Sequence, residues 1–126
     1  MNDALLRLVL LAIAAITLLS GLTQLVAGGF VLSIIAPGAE PATVHMFKTV
    51  GMFMVITGAM FVQSLWTRSE EPAIPLWIAV QKFAAAVLVG LGWLKGIFAP
   101  IAVGVAMFDA VTGVLALLFW LRLGPR

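Results

Sequence analysis

The chain has 126 residues, 63% of them hydrophobic and only 10% charged, with a formal net charge of +2. That leaves no length for a soluble domain beside the apolar segments, and no linker, low-complexity tract or charge run divides the chain. The lack of cysteine excludes disulfides, iron–sulfur clusters and thiolate catalysis, and a single histidine cannot supply bis-histidine haem.

The apolar residues fall into four blocks, Ala4–Ala27, Met46–Trp66, Ile74–Leu94 and Pro100–Leu121. Each is about 21 to 24 residues long, enough as a helix to cross a hydrocarbon core of about 30 Å. Lipid offers backbone amides no partners, so helices that bond internally are the economical solution. The predicted fold is therefore all-α, an integral membrane antiparallel four-helix bundle in a single domain.

In the first block Arg7 follows Asp3, and the apolar run begins before any basic region, so the block reads as an uncleaved span rather than a secretory signal. The apolar stretch continues to Ala36, and one helix of that length would measure about 48 Å. Gly28-Gly29 is the natural place for it to end or bend. Residues 28–45 are predicted to be an outer loop in which Phe30–Ile35 lies along the membrane interface or re-enters shallowly. Pro37-Gly38 and Glu40-Pro41 close this segment before the second span. It reads either as a lipid-facing cap on the bundle or as a gate or docking patch.

The loop Thr67–Ala73, with Arg68, Ser69, Glu70, Glu71 and Pro72, reads as a solvated turn and not as a catalytic carboxylate pair. The Lys95–Ala99 connection is short enough to make the third and fourth spans antiparallel neighbours. With four spans, both termini and the Thr67–Ala73 loop share one side, which carries Arg7, Arg68, Arg122 and Arg126 against Lys48 and Lys95 on the other. This bias predicts cytoplasmic termini in an inner membrane. Trp66, Trp77 and Trp120 at one level and Trp93 at the other suit an interfacial aromatic belt. No internal duplication marks the inverted repeats of larger transporters.

Small and polar residues form a stripe on each span, as close helix packing in lipid requires. The first carries Arg7, Ala14, Thr17, Gly21, Gln24 and Gly28; the second carries Gly51 and Gly58, one heptad apart. The third aligns Ala79, Lys82, Ala86 and Gly90, and the fourth aligns Ala102, Ala106, Asp109, Gly113 and Ala116. Four such stripes suit a left-handed antiparallel bundle.

Two charges fall inside these stripes. Lys82 and Asp109 both approach the bilayer midplane, at depths about 5 Å apart. An isolated charge there costs about 2.5 to 3.5 kcal/mol on insertion scales, and a Lys82–Asp109 pair removes much of that cost. Such a pair either fixes the register of two helices or marks a proton- or substrate-linked site. Gln24, Gln63 and Gln81 are candidates to extend it into a polar network. His45 and Lys48, on adjacent turns at the outer start of the second span, read as interfacial anchors or as contacts for a lipid phosphate or quinone head group. The methionines of that span scatter round the helix and read as packing, not as a copper site.

Leu5-Leu6-Arg7, the Pro37-Gly38 segment, Phe47-Lys48-Thr49-Val50-Gly51 followed by Gly58, the Lys82 helix and the closing Phe108-Asp109-Ala110 helix together make up a recognisable layout. It resembles the DoxX-like small membrane proteins of bacteria over nearly the whole chain. The resemblance implies a four-helix membrane protein and, for some relatives, association with quinone-linked redox complexes. The chain has no cofactor or metal ligand set that would carry the redox role. Four short helices are also similar to the small multidrug transporters, which use a glutamate in the first helix; here that helix has no acidic residue past Asp3.

The expected function is an accessory or scaffold subunit in the bilayer, alone as a homo-oligomer or within a larger membrane complex, with no nucleic-acid partner. The alternative is a small oligomeric transporter or channel built around Lys82 and Asp109. An enzyme is the weakest option, since nucleophile, metal-ligand and acid–base sets are all missing.

Overall fold

The computed structural model describes residues 1–124; Arg126, counted above among the basic residues, lies outside them. The described residues form five helices, α1 Asp3–Val26, α2 Gly28–Ile35, α3 Pro41–Trp66, α4 Ala73–Leu94 and α5 Ile101–Arg122. α1, α3, α4 and α5 are each long and apolar enough to cross a membrane, which makes this a multi-pass, all-helical membrane protein.

The helix ends follow from local chemistry. Asn2 caps α1, its Oδ1 accepting the Leu5 N–H at 2.7 Å. Pro41 occupies the first turn of α3, where its fixed φ suits a helix and its missing N–H costs nothing. α3 and α4 end alike. The Ser69 N–H reaches back to the Ser64 carbonyl at 2.9 Å, and the Ile97 N–H to the Gly92 carbonyl at 2.8 Å. Such a closing turn needs one left-handed residue. Gly96 supplies it after α4 with φ 73°, but after α3 the position is held by Arg68, with φ 56°.

Two boundaries differ from the sequence expectation. The second span begins at Pro41, five residues before the apolar block, because hydropathy marks where lipid begins and not where a helix can start. The segment after α1 is itself helical: only Ala27, at φ −122° and ψ 37°, interrupts the chain before α2. The break therefore falls at Ala27, one residue before Gly28-Gly29, and helical structure resumes at once. α2 buries Gly28 and Leu32 and exposes Phe30 and Ile34. Its last carbonyl, Ile35, accepts the Ala99 N–H at 2.7 Å and so ties α2 to the α4–α5 connection.

The bundle is assembled from two close antiparallel pairs, α1 with α3 and α4 with α5, which touch each other more sparingly along α1–α5 and α3–α4. Glycine makes the first pair close. A Cβ on Gly51 would stand 2.8 Å from the Gly21 carbonyl oxygen, and one on Gly58 3.0 Å from the Leu18 nitrogen. Without a hydrophobic drive between helices in lipid, this backbone approach is the source of attraction. In the second pair the Phe83 ring fills the space beside Gly113.

The apolar core joins the pairs at the end that holds the termini. Leu6, Leu10 and Ala14 of α1 meet Phe61 and Leu65 of α3, Ile78 and Ala79 of α4, and Ala116 and Phe119 of α5. Arg7 closes this end. Its guanidinium donates to the Leu65 carbonyl at 3.1 Å and lies over the Phe119 ring at 5.2 Å. Arg122 pairs with Asp3 at 2.9 Å in a more exposed position.

Candidate functional site

Lys82 and Asp109 sit at the inner limit of that core, midway along their helices. α4 turns Ile78, Ala79 and Lys82 inward, and α5 turns Asp109, Thr112, Gly113 and Ala116 inward. Because the two helices are antiparallel neighbours in contact through Phe83 and Gly113, the two charges face each other. Lys82 Nζ lies 3.0 Å from Asp109 Oδ1, with both side chains about nine-tenths buried.

A third helix completes the site. Lys82 Nζ also donates to Thr17 Oγ1 of α1 at 3.2 Å, and it stands 5.6 Å from the centre of the Phe108 ring. The ammonium thus has an anion, a hydroxyl oxygen and an aromatic face around it. Each offsets part of the cost of placing a cation in hydrocarbon. Thr112, one turn along from Asp109, gives its hydroxyl proton to the Phe108 carbonyl at 2.8 Å and so is not an additional donor to the carboxylate.

A small cleft opens beside the ammonium, lined by Thr17, Thr57, Gly58, Phe61, Gln81 and Lys82 among others. Its free space is about that of one water, and its walls are largely apolar. Chemically, the arrangement can hold a fixed ion pair and can pass a proton between its two members. It offers no chamber for a larger molecule.

The glutamines do not extend the network. Gln24 is buried, but its Nε2 donates to the Phe47 carbonyl at 2.8 Å and fastens α1 to α3 near α2. Gln63 and Gln81 are exposed. His45 is exposed on α3, while Lys48 is half-buried with its stem against Gly28. These two are therefore remote from Lys82 and line the opposite end of α3 from the core.

Two members of the site were not assigned to it from sequence, Thr17 and Phe108. Thr17 carried a signal, as the one hydroxyl in the small-residue stripe of α1. Phe108 carried none beyond its place next to Asp109. Comparison of the chain with protein-family profiles, with curated proteins and with solved structures finds no match.

Proposed function

We propose that this protein is an accessory or scaffold subunit of a bacterial-type inner membrane, acting through helix packing. The reading rests above all on the Lys82 ammonium, which is engaged by Asp109, Thr17 and Phe108 and links both helix pairs. A cation that joins three helices is suited to fixing helix register, a role attested for buried polar groups. The DoxX-like resemblance suits the same reading. Cytoplasmic termini are supported by Arg7, Arg68 and Arg122 at one end against Lys48 and Lys95 at the other. Its surroundings would be the lipid bilayer and either further copies of itself or a larger membrane complex.

The second reading, proton-linked transport, draws on the cleft beside Lys82. Gentle extraction followed by native mass measurement separates the two. An accessory subunit is expected to leave the membrane with another membrane chain in fixed ratio, and to keep it when the charges are exchanged (Lys82→Asp with Asp109→Lys). A protein that carries no other chain, and whose Asp109→Asn variant folds but abolishes proton flux in liposomes, would overturn the scaffold reading in favour of transport.

A further inference from the structure

Thr17 does not do what five other threonines of this chain do. Thr23, Thr49, Thr57, Thr67 and Thr112 each donate a hydroxyl proton to the carbonyl four residues back. That bond keeps a hydroxyl satisfied where lipid offers no partner. Thr17 is only 8% exposed, and its oxygen accepts from Lys82 Nζ at 3.2 Å. Its own proton has no acceptor among the described residues. Lys82 has the same surplus. An ammonium carries three N–H donors; Asp109 and Thr17 take two of them. The Phe108 ring attracts the charge but is not an oxygen acceptor for the third.

The matching deficit lies across the cleft. Thr57 of α3 has given its proton to the Phe53 carbonyl at 2.9 Å and keeps an oxygen that can accept. Gln81 of α4 makes no hydrogen bond among the described residues, so its carboxamide oxygen can accept too. Thr17, Thr57, Gln81 and Lys82 all line the one cleft, which has space for about one water. Gln81 is the most exposed of the four and so stands at its mouth. Two donors and two acceptors therefore border a space of that size, and the rest of its lining is mostly carbon.

We infer that this cleft is a binding site for a single water, which accepts from Lys82 and Thr17 and donates to Gln81 and Thr57. The hydrogen-bonding pattern selects the ligand. A water has two protons and two lone pairs, the complement of two donors and two acceptors. An anion would face the Gln81 and Thr57 oxygens, and a cation would face the Lys82 ammonium. Asp109 already balances that ammonium at 3.0 Å, so the site has no net charge to attract an ion. The water also completes the polar centre. Lys82 reaches α5 through Asp109 and α1 through Thr17, but makes no direct polar contact with α3. Through the water, Thr57 brings α3 in, and all four spans share one hydrogen-bonded centre. This adds a ligand to the site and does not depend on the scaffold reading.

The test is a crystal structure of the full chain grown from a lipid phase, at a resolution that shows ordered water. One peak is expected in the cleft, about 2.5 to 3.2 Å from Lys82 Nζ, Thr17 Oγ1, Thr57 Oγ1 and the Gln81 carboxamide. No peak there, a peak that misses Thr57 and Gln81, or a lipid chain in its place would each overturn the proposal. Thr57→Val with Gln81→Leu removes both acceptors and is expected to abolish the peak while Lys82 stays on Asp109. A peak that survives both changes would overturn the assignment of partners. Unfolding midpoints in lipid nanodiscs give a second reading with a sign. Each single change is expected to lower the midpoint by about 2 to 6 °C, the scale of one hydrogen bond. In a dry cleft the same changes swap polar groups for apolar ones, so a midpoint that holds or rises would also overturn the proposal.

Discussion

Lys82 of α4 and Thr17 of α1 meet at 3.2 Å across the boundary between the two helix pairs. The ion pair with Asp109 lies within one pair, α4 with α5, so it cannot by itself hold the bundle together. The hydroxyl of Thr17 is what carries the polar centre across to the other pair. Thr17→Val, which keeps the shape and removes the acceptor, is expected to cost about 0.6 to 1.7 kcal/mol. Thermal unfolding in detergent measures it, and an unchanged midpoint would show that the contact contributes nothing.

Breaking the pair itself is a heavier change. Lys82→Met leaves the Asp109 carboxylate buried without its cation, and a loss of about 3 to 5 kcal/mol is expected. Replacing both members, Lys82→Met with Asp109→Leu, is expected to recover most of that loss, since no charge is then stranded. The double-mutant cycle reads the coupling directly.

The glycines divide into two groups by what surrounds them. Gly51→Ala would press a methyl group against the Gly21 carbonyl and the Leu25 nitrogen at 2.8 and 2.9 Å, backbone atoms that cannot step aside. A loss of about 1 to 3 kcal/mol is expected. Gly90→Ala and Gly104→Ala meet nothing within 4 Å and are expected to stabilise by up to about 1 kcal/mol through helix propensity. Denaturant titration of the three single variants side by side tests the contrast.

Arg68 holds a left-handed conformation that Gly96 adopts freely at the matching place after α4. Arg68→Gly is therefore expected to stabilise the fold by about 1 kcal/mol. The same change removes one of the positive charges on which the proposed orientation rests. Higher thermal stability together with a mixed population of orientations, read by protease accessibility, is the expected result.

Arg7 satisfies the end of α3 by donating to the Leu65 carbonyl and stacks on Phe119 of α5. Arg7→Ala is expected to cost about 1 to 2 kcal/mol. It should also speed hydrogen exchange at Thr67, Arg68 and Ser69, whose amides close the same turn. Exchange that accelerates equally along all of α3 would contradict a local role.

The number of spans, their approximate limits and the inward place of Lys82 and Asp109 could all be read from the sequence. Each is set residue by residue: apolar length decides what crosses the bilayer, and the cost of a charge in lipid decides which way it must face. The small-residue stripes of α1 and α3 were legible for a related reason, since small residues let backbones meet as Gly21 and Gly51 do, whereas Gly90, placed in the stripe of the third span, meets nothing within 4 Å. The pairing of α4 with α5 was legible in the short Lys95–Ala99 connection, whereas the tertiary structure alone decided that α1 and α3 form a second close pair, that Gly28–Ile35 is a helix, and that Thr17 completes the Lys82 site. In lipid the outer and inner faces of a helix are almost equally apolar, so hydropathy does not say which helix meets which. Shape complementarity between particular side chains says it, and that exists only once the helices are brought together.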